Sequence, residues 1–225
     1  MEKRVEVILD FLSQLKENND RDWFAEHKEE YNQTKVYFEE IVTEMLARIA
    51  TIDPQVKGLE AKDCLFRIYR DTRFSSDKTP YKTHWGAYMA GNGGRKSARA
   101  GYYLHLEPGT SFFSGGIWCP EPKILKALRM SIHENIDEFT EIMENPEFKS
   151  HYSPLVGEKL KTVPQPFSRD LTHGDWLKYK NYAVESTLHE SFFTEDWQDK
   201  CLDLCRILKP FNDFMNYTVD EELNL

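Results

Sequence analysis

The sequence predicts an α+β fold: a central, mostly antiparallel sheet with helices at both chain ends, in a single globular domain over residues 1–225. Three observations predict it. Apolar residues recur at helical spacing through residues 3–49 and again through 194–216. Segments rich in aromatic and β-branched residues cluster between 64 and 118. The links between those segments are too short for helical crossovers, which favours antiparallel pairing.

Val5, Ile8, Leu9, Leu12 and Leu15 predict a helix over 3–17. Asn18-Asn19-Asp20 interrupts it, and Asp20 is placed to cap the next helix. That helix starts at Arg21 and carries Tyr31, Val36, Phe38, Ile41, Met45 and Ile49 on its apolar face. Its length predicts a bend near Gln33-Thr34, and Asp53-Pro54 ends it. Strands are expected at 64–70, 83–89, 102–107 and 110–118. An ordered loop over 71–81 and a glycine-rich, flexible loop after 89 separate the first three. Gly115-Gly116 inside a strand signals a bulge or a close backbone approach. A helix over 122–144, broken around His133–Asp137, and a short helix over 146–151 follow. A fifth strand is expected at 158–163, a helical turn at Trp176–Tyr182, a strand at 182–189, and a closing helix over 194–216.

With 40% hydrophobic residues the chain can bury a substantial core, and a net charge of −9 opposes indiscriminate binding to nucleic acid. No apolar run approaches the ~20 residues of a membrane span, so no membrane partner is expected. The first twenty residues lack the apolar stretch of a signal peptide. Cys64, Cys119, Cys201 and Cys205 form no CxxC pair, which fits reduced thiols and a cytoplasmic location. Gly91-Asn92-Gly93-Gly94-Arg95-Lys96 fits neither phosphate-loop nor dinucleotide fingerprints, and no cofactor is expected. The oligomeric state is not legible in the sequence.

Charge is distributed unevenly. Residues 62–99 hold nine Lys/Arg against three Asp/Glu, a local +6 that leaves −15 for the rest of the chain. Within 66–85, Arg67, Arg70, Arg73, Lys78 and Lys82 alternate with hydroxyls, among them Tyr69 and Tyr81. Guanidinium forks and ammonium groups at this density suit a phosphate or carboxylate. The competing role for these cations is pairing with carboxylates of the chain itself. Full pairing of Arg70 and Arg73 with carboxylates of the chain would overturn the anion-site reading built on them. Asp71 either serves as a general base or holds an arginine in place, and the second is favoured.

His84, His105 and Glu107 form a set that suits zinc or iron, since His105 and Glu107 share a strand face. The surrounding cations oppose a metal, so buried, hydrogen-bonded histidines are expected instead. His27 falls one helical turn after Trp23, beside a helix start that can hold an anion. Cys201 and Cys205, one turn apart, are read as core.

The runs FLSQLKENNDRDWFAEHKEEY, FRIYRDTRFSSDKTPYKTHWGA, GYYLHLEPG and GGIWCPEP resemble those of a widespread bacterial and fungal family, domain of unknown function 2461. The resemblance spans nearly the whole chain. It places Asn19, Arg21, Trp23, Phe24 and His27, and the run from Arg70 to Lys82, among the family's motifs. It implies no activity, cofactor or catalytic residue.

Three functions follow as expectations. The first is recognition of an anionic small molecule by Arg67, Tyr69, Arg70, Arg73, Lys78, Tyr81 and Lys82, with Asp71, His84 and His27 as the candidate catalytic groups of an enzyme on a phosphorylated metabolite. The second is nucleic-acid binding through the basic aromatic segment, which the net charge opposes. The third is a non-catalytic scaffold in which the motif is an ion-pair lock.

Overall fold

The computed structural model describes all residues from Met1 to Leu225. Eight α-helices and four strands follow one another as α1 (Lys3–Glu17), α2 (Arg21–Glu26), α3 (Lys28–Ile49), α4 (Ala61–Cys64), β1 (Trp85–Met89), β2 (Gly101–Leu106), β3 (Phe112–Ile117), α5 (Pro122–Glu134), α6 (Ile136–Glu144), α7 (Pro146–His151), β4 (Tyr182–Thr187) and α8 (Trp197–Leu223). The strands form one antiparallel sheet in the order β1-β2-β3-β4, with no crossover. The fold is α+β with helices at both ends, as the sequence indicates.

The chain groups into two compact units. The first comprises Met1–Lys96, Tyr103–Phe113 and Thr187–Leu202. Its α1 buries Val5, Ile8, Leu9, Phe11, Leu12 and Leu15, the stripe that the spacing indicates. Arg4 clamps Glu44 of α3 through two nitrogens at 2.8 and 3.0 Å, a fork that fixes the two helices in register. Asp20 caps α2, accepting from the backbone N–H groups of Asp22 and Trp23 at 2.9 Å each.

The long second helix breaks at His27 and not at Gln33-Thr34. The His27 backbone leaves helical geometry, its Nδ1 donates to the Trp23 carbonyl at 2.8 Å, and its ring stacks on Trp23. Thr34 causes no break because its hydroxyl donates to the Tyr31 carbonyl while its side chain is buried in the helix's core face. Val36 lies on the opposite face and is exposed, contrary to its expected place in the core.

The strand expected over 64–70 does not form as such. A reciprocal cap between Glu60 and Asp63 winds residues 61–64 into α4, and the following residues are extended. They touch the 81–87 segment at two isolated antiparallel bridges, Leu65–Ala87 and Tyr69–Tyr81. Four residue steps separate these bridges on one side and six on the other, so Thr83 and His84 bow out of the ladder before β1 begins. The glycine-rich stretch after β1 is ordered by Gly94, at φ +59°, whose Cα lies against the Asp63 carbonyl, where a Cβ would sit 2.5 Å from the oxygen.

The second unit comprises Ser97–Tyr102, Ser114–Ser186 and Asp203–Leu225. The helix expected over 122–144 divides into α5 and α6 at Asn135, inside the anticipated interval. Phe139, Phe148, Phe211 and Phe214 form its aromatic core. Asn216 grips both the N–H and the C=O of Ala100, at 2.7 and 3.1 Å. Arg99 is buried and meets Asp220 at 2.5 Å. The fifth strand at 158–163 reduces to a single bridge, Lys159–Tyr179. Gly115 and Gly116 are close approaches: a Cβ on Gly115 would lie 2.0 Å from the Leu208 side chain, and one on Gly116 2.1 Å from the Tyr182 carbonyl.

A methyl group at Gly115 has no room unless Leu208 withdraws. Gly115→Ala is therefore expected to lower stability by about 1–3 kcal/mol in urea denaturation. Combined with Leu208→Ala, the loss should be smaller than the sum of the two single losses; equal stability of Gly115→Ala and the parent chain would contradict the packing.

Candidate functional site

Strands β1 and β2 in the first unit have unlike faces. Trp85, Ala87 and Met89 on β1 point to the helices, where Trp85 stacks on Tyr31 and Phe38. On β2, Leu104 and Leu106 are fully buried, whereas Tyr103 and Glu107 remain partly open. Period-2 alternation thus puts Tyr103, His105 and Glu107 in a row on one face. The bowed residues Thr83 and His84 join that row from the start of β1.

The row is held together by hydrogen bonds. His105 Nε2 lies 3.1 Å from Glu107 Oε2, and the Tyr103 hydroxyl 3.0 Å from His105 Nδ1. Thr83 donates to Glu107 Oε1 at 2.7 Å and Thr110 to Oε2 at 3.1 Å. Ser111 binds both backbone groups of Glu107, which fixes the end of the row. Burial alone would raise the Glu107 pKa, but the bonds from Thr83, His105 and Thr110 outweigh it and keep the carboxyl below its usual range. An ionised carboxylate only accepts, so Nε2 of His105 carries the proton and Nδ1 accepts from Tyr103. Burial also lowers the His105 pKa, more than the bond to Glu107 raises it, and the ring is neutral at pH 7.

His84 has no hydrogen-bond partner. Its ring centre sits 4.3 Å from that of His105. Burial, then the neighbouring His105 and Lys82, push its pKa down to about 4. Phe112 stacks on the other side of His105 at 4.5 Å and makes an apolar wall. Tyr103 crosses the row only because residue 86 is glycine: a Cβ there would lie 2.5 Å from the tyrosine oxygen.

Of the sequence-expected site residues, the structure brings Lys82 and His84 to this row and sets Arg67 near Lys82. Lys82 is half-buried, with Nζ 5.4 Å from the centre of the Phe66 ring. Phe66 in turn meets Tyr103 edge-on. Burial and then repulsion from Arg67 lower the Lys82 pKa. The loop cations behave differently. Arg70 pairs with Asp77 at 2.5 Å and also binds Thr79. Arg73 forks onto Asp71 at 2.9 and 2.6 Å, and Lys78 donates to the Thr72 carbonyl at 2.8 Å. Bonds from the Thr79 backbone and from Arg70 hold Asp77 down at about 2, and Arg73 lowers Asp71.

Tyr69 and Tyr81 belong to an aromatic cluster. Tyr81 stacks on Phe24 at 3.9 Å, and Tyr69 lies against both. Asn19 holds the same strand segment, donating to the Tyr81 carbonyl at 3.0 Å and accepting from its N–H at 3.1 Å. His27 is committed to its own helix through Trp23. Sequence reasoning missed Tyr103 and Thr110. The i, i+2, i+4 spacing of Tyr103, His105 and Glu107 was the signal available for the first.

A family model described as a conserved hypothetical protein, DUF2461, matches residues 7–214, and the chain belongs to that family. Searches of curated proteins and of solved structures each returned no match.

Two outcomes test this geometry. His84 titrates near 4 when folded and near 6.5 when unfolded. The unfolded chain therefore binds the extra proton between those values, and stability should fall as pH drops from 6.5 to 4. His84→Asn should flatten that slope in thermal melts; an unchanged slope would contradict the burial of the ring. Arg73 and Asp71 are a local, exposed pair, so Arg73→Ala should leave the melting temperature unchanged.

Proposed function

We propose that the protein binds a small anion of phosphate or carboxylate type at the polar face of β1 and β2, with Lys82 and Arg67 as the cations that meet it. The observation that carries this is the pairing state of the basic segment. Its ion pairs engage Arg70 and Arg73. Lys82 and Arg67 are held close enough to repel one another, and neither forms an ion pair, although Arg67 stands near enough to Asp71 to help lower its pKa. Keeping a half-buried ammonium beside a guanidinium costs free energy that an incoming anion would recover. His84 and the Tyr103–His105–Glu107 row stand next to these cations, within reach of a bound small molecule.

A second reading, nucleic-acid binding, is favoured by Phe74, which is 96% exposed with Arg73 over its ring at 5.8 Å. Tyr81 and Trp85, at 6% and 2% exposure, are not open to stacking bases. The small anion is therefore the preferred ligand.

Isothermal titration with inorganic phosphate and with malonate tests the site. Lys82→Met is expected to weaken the better of the two by about 10–100-fold, the worth of a charged hydrogen bond. Arg73→Ala should bind as the parent chain does. Undiminished affinity in Lys82→Met, or an equal loss in Arg73→Ala, would overturn the assignment.

A further inference from the structure

We propose that His84, His105 and Glu107 bind a divalent transition-metal ion of the zinc or iron class. The metal ligands lie beside the anion site but are not its cations, Lys82 and Arg67, so the two assignments can fail separately. One donor atom from each of the three side chains lies within 4.8 Å of the others. Two imidazoles and one carboxylate are a donor set that such ions favour, with coordination positions left open. Ligands on a common ion at about 2.0–2.2 Å sit about 3–3.5 Å apart. His105 Nε2 and Glu107 Oε2, 3.1 Å apart, already have that spacing. His84, which has no hydrogen bond to break, needs only a small shift to complete the set.

The surrounding groups are those that orient metal ligands. Ligating histidines have a polar partner on the other ring nitrogen, and His105 has the Tyr103 hydroxyl there. A hydroxyl both donates and accepts, so Tyr103 can serve His105 after the proton moves from Nε2 to Nδ1 and leaves Nε2 free for the ion. Thr83 and Thr110 fix the carboxylate oxygens, and Ser111 fixes its backbone. The bow at residues 83–84 points one ligand, His84, and one supporting group, Thr83, into the same cluster. The bow therefore has a consequence in chemistry as well as in shape.

Lys82 and Arg67 are the objection, because like charge opposes a dication. Glu107 supplies one negative charge, and the open coordination positions admit an anion or hydroxide that supplies more. Phe112, stacked on His105, also fixes one ligand ring in place, which cations at the rim do not undo.

The test is a Co2+ titration of the full chain after chelator treatment, followed by ligand-field absorption and by direct metal analysis. One Co2+ per chain, displaced by Zn2+, is expected. Glu107→Gln and His84→Ala should each abolish that uptake, with folding checked by circular dichroism. His84→Asn replaces His84→Ala if the latter does not fold. Lys82→Met should still take up one Co2+, which separates failure of this site from failure of the anion site. No uptake by the parent chain, or uptake unchanged in both ligand variants, would overturn the proposal.

Discussion

Two residues too many, held between two fixed bridges, shape the region on which the functional reading rests. Leu65 faces Ala87 and Tyr69 faces Tyr81, so the 81–87 side must absorb the excess. Neither end can slip. Phe66 donates to the Gly86 carbonyl at 2.9 Å, and Lys82 to the Ile68 carbonyl at 2.8 Å. Asn19 grips both backbone groups of Tyr81, and Phe24 stacks on its ring. The start of α2 and the basic segment are thus two halves of one clamp. With both ends pinned, the chain bows at Thr83 and His84, and a bulge of this kind re-aims side chains.

The basic segment divides into two populations. Arg70, Arg73 and Lys78 build the loop itself, through Asp77, Asp71 and the Thr72 carbonyl. The short Asp-to-Arg separations make these pairs local, so they shape the loop without tying it to the rest of the fold. Lys82 and Arg67 form no ion pair and repel one another, and Arg67 shares the Asp71 carboxylate with Arg73 only at longer range. The loop ion pairs are therefore separate, within the same stretch, from the two cations that carry the proposed anion site.

Much of the fold was legible because it follows from local rules. The boundaries of α1 and α7, the break at Asn135 and the Asp20 cap depend on periodicity, proline and side-chain capping, all of which act over a few residues. The break at His27 was not legible, since it depends on a ring that leaves the helix face to stack on Trp23. The shared face of His105 and Glu107 could be read from their spacing. Their grouping with His84 could be read as well, but the bow at Thr83 and His84 could not, because the register offset is a property of two segments together. Charge counting found the +6 excess of residues 62–99 but could not say which cations already have partners.

The central claim is that Lys82 and Arg67, and not the loop arginines, meet an anion. Crystals grown with selenate would test it through the anomalous signal of selenium. The account requires a peak about 4 Å from Lys82 Nζ, the distance set by a charged hydrogen bond to a selenate oxygen plus the selenium–oxygen bond. A peak at Arg70 or Arg73 with none beside Lys82 would contradict it.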